Sequence, residues 1–162
     1  MTIARRFALV FVTCLFCSGA IAAQVVDLRV RLIYLKNEKP ANGQQIILYE
    51  GDPQRMSAAE WRSQSRAPKE TTSRDGVAVF RVPKPLPKTV SVSVENGRIR
   101  ACASGPEIPL EEVMTHGVTI GVDKEFGGSC KGDRTVIKRL AAKPGEIVVF
   151  VRKLSIWEKM QN

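Results

Sequence analysis

From Val25 to Leu35 the chain alternates. Val26, Leu28, Val30, Leu32 and Tyr34 fall on one side, and Asp27, Arg29 and Arg31 on the other. A period of two predicts a strand with one face buried and one face in water. Asn37 to Gly43, with Pro40 inside, reads as a turn, and Gln44 to Tyr49 as a second strand stopped by Gly51-Asp52-Pro53. Ser57 and Glu60 have the spacing of a capping box, which predicts a short helix over Ala58 to Gln64. Thr71 to Ser73 and Val77 to Val82 flank Asp75-Gly76, while Thr89 to Val94 and Ile99 to Cys102 flank Asn96-Gly97. Both pairs carry the signal of a hairpin with a two-residue loop. The second would set Val94 against Ile99. Between the two pairs, Pro83, Pro85 and Pro87 predict a stiff extended spacer.

Beyond Cys102 the pattern changes. Pro109 to Thr115 predicts one or two helical turns ended by Gly117, and Val118 to Val122 a strand. Glu125 to Asp133 is a Gly-rich loop around Cys130. After Pro144-Gly145, the run Ile147 to Val151 is apolar at every position, which predicts a central strand buried on both faces. Ser155 and Glu158 repeat the capping-box spacing ahead of a last short helix. About seven short strands joined by turns, with no long helices between them, predict an all-β fold. The expected architecture is an Ig-like or transthyretin-like β-sandwich with short peripheral helices.

The first residues are of another kind. Arg5 and Arg6 precede an apolar stretch from Phe7 to Cys17, and Ala20 and Ala22 form an A-x-A site. That is the layout of a secretory leader, with the cut expected after Ala22 or one residue further on. The stretch is shorter than the roughly 20 apolar residues of a membrane span. Its strong hydropathy, with no cofactor ligands behind it, favours ordinary secretion over twin-arginine export. Thr13 and Phe16 are too bulky for a lipoprotein signal at Cys14 or Cys17. The expected organisation is a leader over 1–22 and a single sandwich domain over 23–162. The product would be periplasmic or extracellular.

Cleavage would take away only two of the 25 Lys and Arg and none of the 16 acids, so the net charge falls from +9 to +7. It would also leave two of the four cysteines. In an oxidising compartment Cys102 and Cys130 are expected to form one disulfide that pins the C-terminal half of the domain.

The stretch from Val26 to Val94 carries a further pattern. Lys39-Pro40-Ala41-Asn42-Gly43 precedes Ile46-Ile47-Leu48-Tyr49, and Thr72-Ser73-Arg74-Asp75-Gly76-Val77-Ala78-Val79-Phe80 follows. This resembles the carboxypeptidase regulatory-like, transthyretin-like sandwich family over about half of the mature chain. The resemblance implies the sandwich; it fixes no activity. Hydroxyisourate hydrolases on similar sandwiches use several histidines and a Tyr-Arg-Gly-Ser ending. This chain has one histidine, His116, and ends Lys159-Met160-Gln161-Asn162. Intradiol dioxygenases on similar sandwiches hold iron with paired Tyr and His, whereas Tyr34 and Tyr49 both fall in strand patterns here.

No catalytic set emerges otherwise. His116 with Ser104 or Asp123 lacks the spacing of a known triad. Glu111, Glu112 and Asp52 are carboxylates without an evident acid/base partner, and a hydrolase built on Glu111, Glu112 and Asp123 ranks last among the readings. Zinc would need about four ligands, more than one His and a bridged Cys pair supply. No cofactor or metal is expected. Lys131-Gly132-Asp133 matches an adhesion tripeptide, a triplet common by chance.

The basic excess is dispersed, as suits charges that blunt strand edges and keep a small sandwich soluble. As a binding signal it points to acidic polysaccharide of the envelope, lipid head groups or another exported protein ahead of nucleic acid. Trp61, Arg62 and Arg66, in the long connection after the second strand, are the expected contact surface. Trp157, beside Leu154 and Ile156, is expected to plug one end of the sandwich. The function these readings support is a non-enzymatic exported binding or structural module. An accessory or assembly subunit of another exported protein is the alternative.

Overall fold

The alternation at the start becomes strand β1 (Val25–Tyr34), in which Leu28, Val30 and Leu32 are fully buried and Asp27 and Arg29 exposed. The computed structural model describes residues 24–63, 67–95, 98–103, 107–121, 130 and 134–160. The leader with its cleavage site lies outside them, as do Asn96-Gly97 and Lys131 to Asp133.

After β1 come β2 (Gln45–Glu50), α1 (Ala58–Ser63), β3 (Lys69–Thr71), β4 (Val77–Pro83), β5 (Thr89–Glu95) and β6 (Ile99–Ala101). Then follow β7 (Ile108–Pro109), α2 (Leu110–Thr115), β8 (Val118–Ile120), α3 (Arg134–Arg139), β9 (Glu146–Lys153) and α4 (Ile156–Met160). Two sheets face each other, so the fold is an all-β sandwich with short helices at its periphery. The first sheet runs β4-β1-β9, with β6 and β8 dividing the far edge of β9 between them; the second runs β3-β2-β5-β7.

Strand β9 is the hinge of this arrangement. It lies parallel to β1, with Arg29 opposite Glu146 and Tyr34 opposite Val151. On its other edge β8 pairs parallel with Ile147 to Val149, and β6 pairs antiparallel with Val151 to Lys153. Its all-apolar run is buried on both faces, as the sequence predicts. Ile147, Val149 and Val151 face the core between the sheets with Leu28, Ile46, Phe80 and Val90. Val148 and Phe150 face outward into a second core with Ile33 and Cys102, closed by Cys130, Ile137 and Leu140.

The lid over that second core is held covalently. Cys102 and Cys130 form a disulfide with 5.1 Å between their Cα atoms, across 28 residues of sequence. Helix α3 completes the lid, and Arg139 at its end pairs with Glu38 beyond the end of β1. Nothing local announces this helix, since Thr135, Val136 and Ile137 are β-branched and no capping box precedes them. Its packing against Phe150 and Val148 overrides that propensity.

Both hairpin expectations are corrected. Strand β3 pairs with β2, and β4 with β1. Likewise β5 pairs with β2 and β7, and β6 with β9, so Val94 stands opposite Ile46 and not Ile99. Each turn therefore carries the chain from one sheet to the other. Asp75-Gly76 does reverse the chain, with Gly76 N–H donating to Ser73 O (3.0 Å) and Ser73 N–H to Val77 O (2.9 Å). Only Gly76 of the pair has positive φ, +72°, which makes a type I turn with a left-handed glycine in place of type I′. Buried Thr72 then fixes the divergence. Its Oγ1 donates to Ala41 O (2.7 Å) and accepts from Gln44 N–H (2.9 Å), tying the chain to β2 at the point where β4 leaves for the other sheet.

Gly76 is also the point of closest approach, since a Cβ there would sit 2.6 Å from Leu32 O. The proline-rich segment bends at Lys84 and Pro85 and does not run on as a straight spacer.

The disulfide makes a direct prediction. Cys102→Ser should lower stability by about 2 to 4 kcal/mol. The wild type in reductant should melt close to the variant, and equal melting of the wild type with and without reductant would show that the bridge does not form in solution.

Candidate anion-binding site

Outward positions of β1 and β9 build a polar cleft on the first sheet. Arg29 and Arg31 lie two residues apart on the exposed face of β1, and Glu146 opens β9 opposite Arg29. The turn Lys143-Pro144-Gly145-Glu146 closes on itself through Glu146 N–H to Lys143 O (2.9 Å). Gly145 anchors it on both sides, its N–H donating to Val113 O (2.8 Å) at α2 and its carbonyl accepting from Arg29 N–H (2.9 Å). The result is a cleft of about 280 Å³ lined by Arg29, Arg31, Lys143, Pro144 and Glu146.

Its floor is an ion pair. Arg31 Nη2 donates to Glu146 Oε2 (3.0 Å), and Nε stands 2.9 Å from Oε1 with its N–H off line, so that second contact is Coulombic only. Glu146 also accepts the backbone N–H of Lys143 (3.1 Å). The carboxylate thus neutralises one of three cations and holds it still, and the exposed Arg29 and Lys143 side chains stand at the rim. A planar guanidinium fixed by its carboxylate has donors left over, and Arg29 adds a second fork. Oxyanions carrying two or three acceptor oxygens match that arrangement.

Of the contact residues expected from sequence, only Arg62 can be described in full. It is exposed on α1, and its Nε donates back to Ala58 O (3.2 Å). Trp61 lies in α1 with its side chain outside the described part, and Arg66 falls outside the described residues. The capping box that places α1 forms as predicted: Glu60 accepts Ser57 N–H (2.7 Å) and Ser57 Oγ accepts Glu60 N–H (3.3 Å). Hydrogen bonding by the Ser57 side chain, and then by its backbone N–H, holds the Glu60 carboxyl below its ordinary value.

The cleft was half legible beforehand. Alternation placed Arg29 and Arg31 on the outer face, but nothing local in the sequence announces a parallel neighbour bringing Glu146 and Lys143.

The other candidates stay apart. Glu111 and Glu112 are exposed on the first turn of α2, whereas Asp52 accepts Gln54 N–H (2.8 Å) and pairs with Arg55 at 3.4 Å. His116 is exposed at the C-cap of α2, donating its N–H to Glu112 O (2.9 Å); Ser104 and Asp123 lie outside the described residues. Among the described residues no cluster of three or more His, Cys, Asp or Glu is placed to hold a metal. Likewise none of their helices is long and apolar enough to cross a membrane.

Trp157 is a correction. It is 76% exposed, whereas Leu154 before the helix is buried. Helix α4 is turned this way by Glu158, which accepts both terminal nitrogens of Arg152 (2.8 and 2.5 Å) together with Ser155 N–H and Oγ (both 2.9 Å). The Arg152 hydrogen bonds, then those from Ser155, hold the Glu158 carboxyl far below its ordinary value of 4.5.

The chain matches no protein-family profile, no curated protein and no solved structure.

Two predictions follow from these ion pairs. Glu146→Gln leaves a half-buried guanidinium without its counter-charge and should lower stability by about 1 to 3 kcal/mol in urea melts. An unchanged midpoint would show that the pair holds nothing in place. Glu158 has a depressed folded pKa, so its contribution is complete above the ordinary carboxylate range and is lost as pH falls through the folded value. Glu158→Gln should therefore lower the melting temperature at about pH 7, with the gap to wild type narrowing from about pH 4.5 downward. A gap that does not change with pH would refute the assignment.

Proposed function

We propose that this chain is an exported, non-enzymatic binding module of the cell envelope or secreted fraction. In this reading it is a sandwich of the transthyretin-like, carboxypeptidase regulatory-like kind that holds acidic polysaccharide in the Arg29–Arg31–Lys143 cleft. The observation that carries the reading is the set of three cations around a single carboxylate, on a rigid sheet face, with one guanidinium already locked in position. The leader pattern, the Cys102–Cys130 bridge and the basic balance support an extracytoplasmic setting, where carboxylated or sulfated polymers are the abundant anions. A site of this kind acts by Coulomb attraction plus a few directed hydrogen bonds, so its affinity falls with salt.

A second reading, an accessory subunit of another exported protein, draws on a different feature. Strand β4 borders its sheet, with β1 as its strand partner. A cleft of about 480 Å³ runs beside it, lined by Asp27, Pro68, Glu70, Val79, Phe80 and Arg81.

Retention on immobilised polygalacturonate under a salt gradient tests the first reading. Arg29→Glu with Lys143→Glu should elute at clearly lower salt than Arg55→Glu with Lys88→Glu, a pair of equal charge change placed elsewhere on the surface. Equal elution of the two would reduce the cleft to part of a general basic surface. Capture from the envelope of one protein that survives moderate salt would move the weight to the accessory-subunit reading.

A further inference from the structure

Helix α4 presents an apolar surface that the sandwich does not use. Trp157 and Met160 are 76% and 74% exposed, and no other large hydrophobic side chain among the described residues is as exposed. Three residues apart on a helix, they share one face. The opposite side of the helix is firmly attached. Arg152 clamps Glu158, and Leu154 is buried with its N–H donating to Arg98 O (3.0 Å). The two apolar side chains are therefore carried on a fixed mount.

What surrounds them is basic. Arg98, Arg100 and Lys153 are all exposed where β6 and β9 end beneath α4. Arg100 lies 3.9 Å from Glu158, and Lys153 Nζ stands over the Tyr34 ring, 5.7 Å from its centre.

Two side chains are a small anchor for a protein partner, since a stable interface covers about 800 Å² on each side. The same two are suited to a lipid interface, where a Trp ring settles at head-group level, an apolar neighbour reaches the acyl boundary and a collar of cations meets anionic phosphates. We propose that α4 and its basic collar dock on an anionic lipid surface, with Trp157 and Met160 entering at the depth of the head groups. The surface is separate from the polysaccharide cleft. The cleft lies at the start of β9 and α4 beyond its end, roughly 25 Å away along an eight-residue strand. A sandwich with both sites would bridge a membrane and an acidic polymer.

The test is co-sedimentation of the purified protein with vesicles of phosphatidylcholine alone or mixed equally with phosphatidylglycerol, at about 150 mM salt. Tryptophan emission is recorded in parallel. Trp61 contributes to the wild type and to Trp157→Ala alike, so their difference reports Trp157. The proposal expects binding to the anionic vesicles, a blue shift in that difference spectrum, and quenching by brominated lipid. It expects about tenfold weaker partitioning for Trp157→Ala with Met160→Ala, and weaker binding for Arg98→Gln with Lys153→Gln.

The exposed positions should leave melting of the double apolar variant unchanged, and the quenching measurement needs no variant of Met160. Binding that ignores the apolar substitutions would be general attraction of a cationic chain and would overturn the proposal. So would absence of binding, or a blue shift that grows with protein concentration without vesicles, which would make α4 a protein contact.

Discussion

Everything in this molecule is arranged around a strand that cannot touch water on either face. Five consecutive apolar residues, Ile147 to Val151, oblige the fold to supply a cover above and below β9. The facing sheet supplies one cover, which is ordinary for a sandwich. The other must be made from what remains, and the chain makes it from a six-residue helix, Cys130 and the bridge to Cys102. The disulfide is therefore more than a loop closure. It ties Cys130 covalently to the outer core on which Leu35, Ile137, Leu140 and Ala142 also pack.

The same constraint sets where chemistry can occur. The outer face of β9 is covered at its centre, so along this strand polar side chains emerge at its two ends. At one end Glu146 meets Arg31 and the Lys143 turn; at the other Arg152 meets Glu158. Both are carboxylate–guanidinium pairs, with different tasks. The first steadies a cation within an otherwise open cleft, and the second fastens a helix so that its apolar side faces out. Neither needs a long loop, because both are held at the ends of one strand in a packed sheet.

Local chemistry explains which parts of this were legible in the sequence. Alternation in β1, the Ser57–Glu60 and Ser155–Glu158 boxes and the all-apolar β9 are decided by neighbours within a few residues, and each forms as read. The Asp75-Gly76 and Asn96-Gly97 signals were misleading because a glycine turn encodes reversal of direction, not the sheet in which the next strand lands. In a sandwich the inward-facing residues of both strands look alike whether the strands pair side by side or face each other across the core. The parallel β1–β9 pairing has no local signature at all, and with it went half of the cleft. Trp157 differs from expectation for a related reason: closeness in sequence to buried Leu154 does not fix which way a residue of α4 faces once Glu158 sets the helix.

Arg31 and Glu146 meet across 115 residues of chain. The first strand of the sandwich therefore waits beside an empty lane while β2 to β8 are made, and no part of the five-stranded sheet beyond the β1–β4 pair can assemble early. Loop closure on that scale is slow compared with local turns and helices. With its keystone so late, the chain can complete neither of its two cores until Val151 has been made.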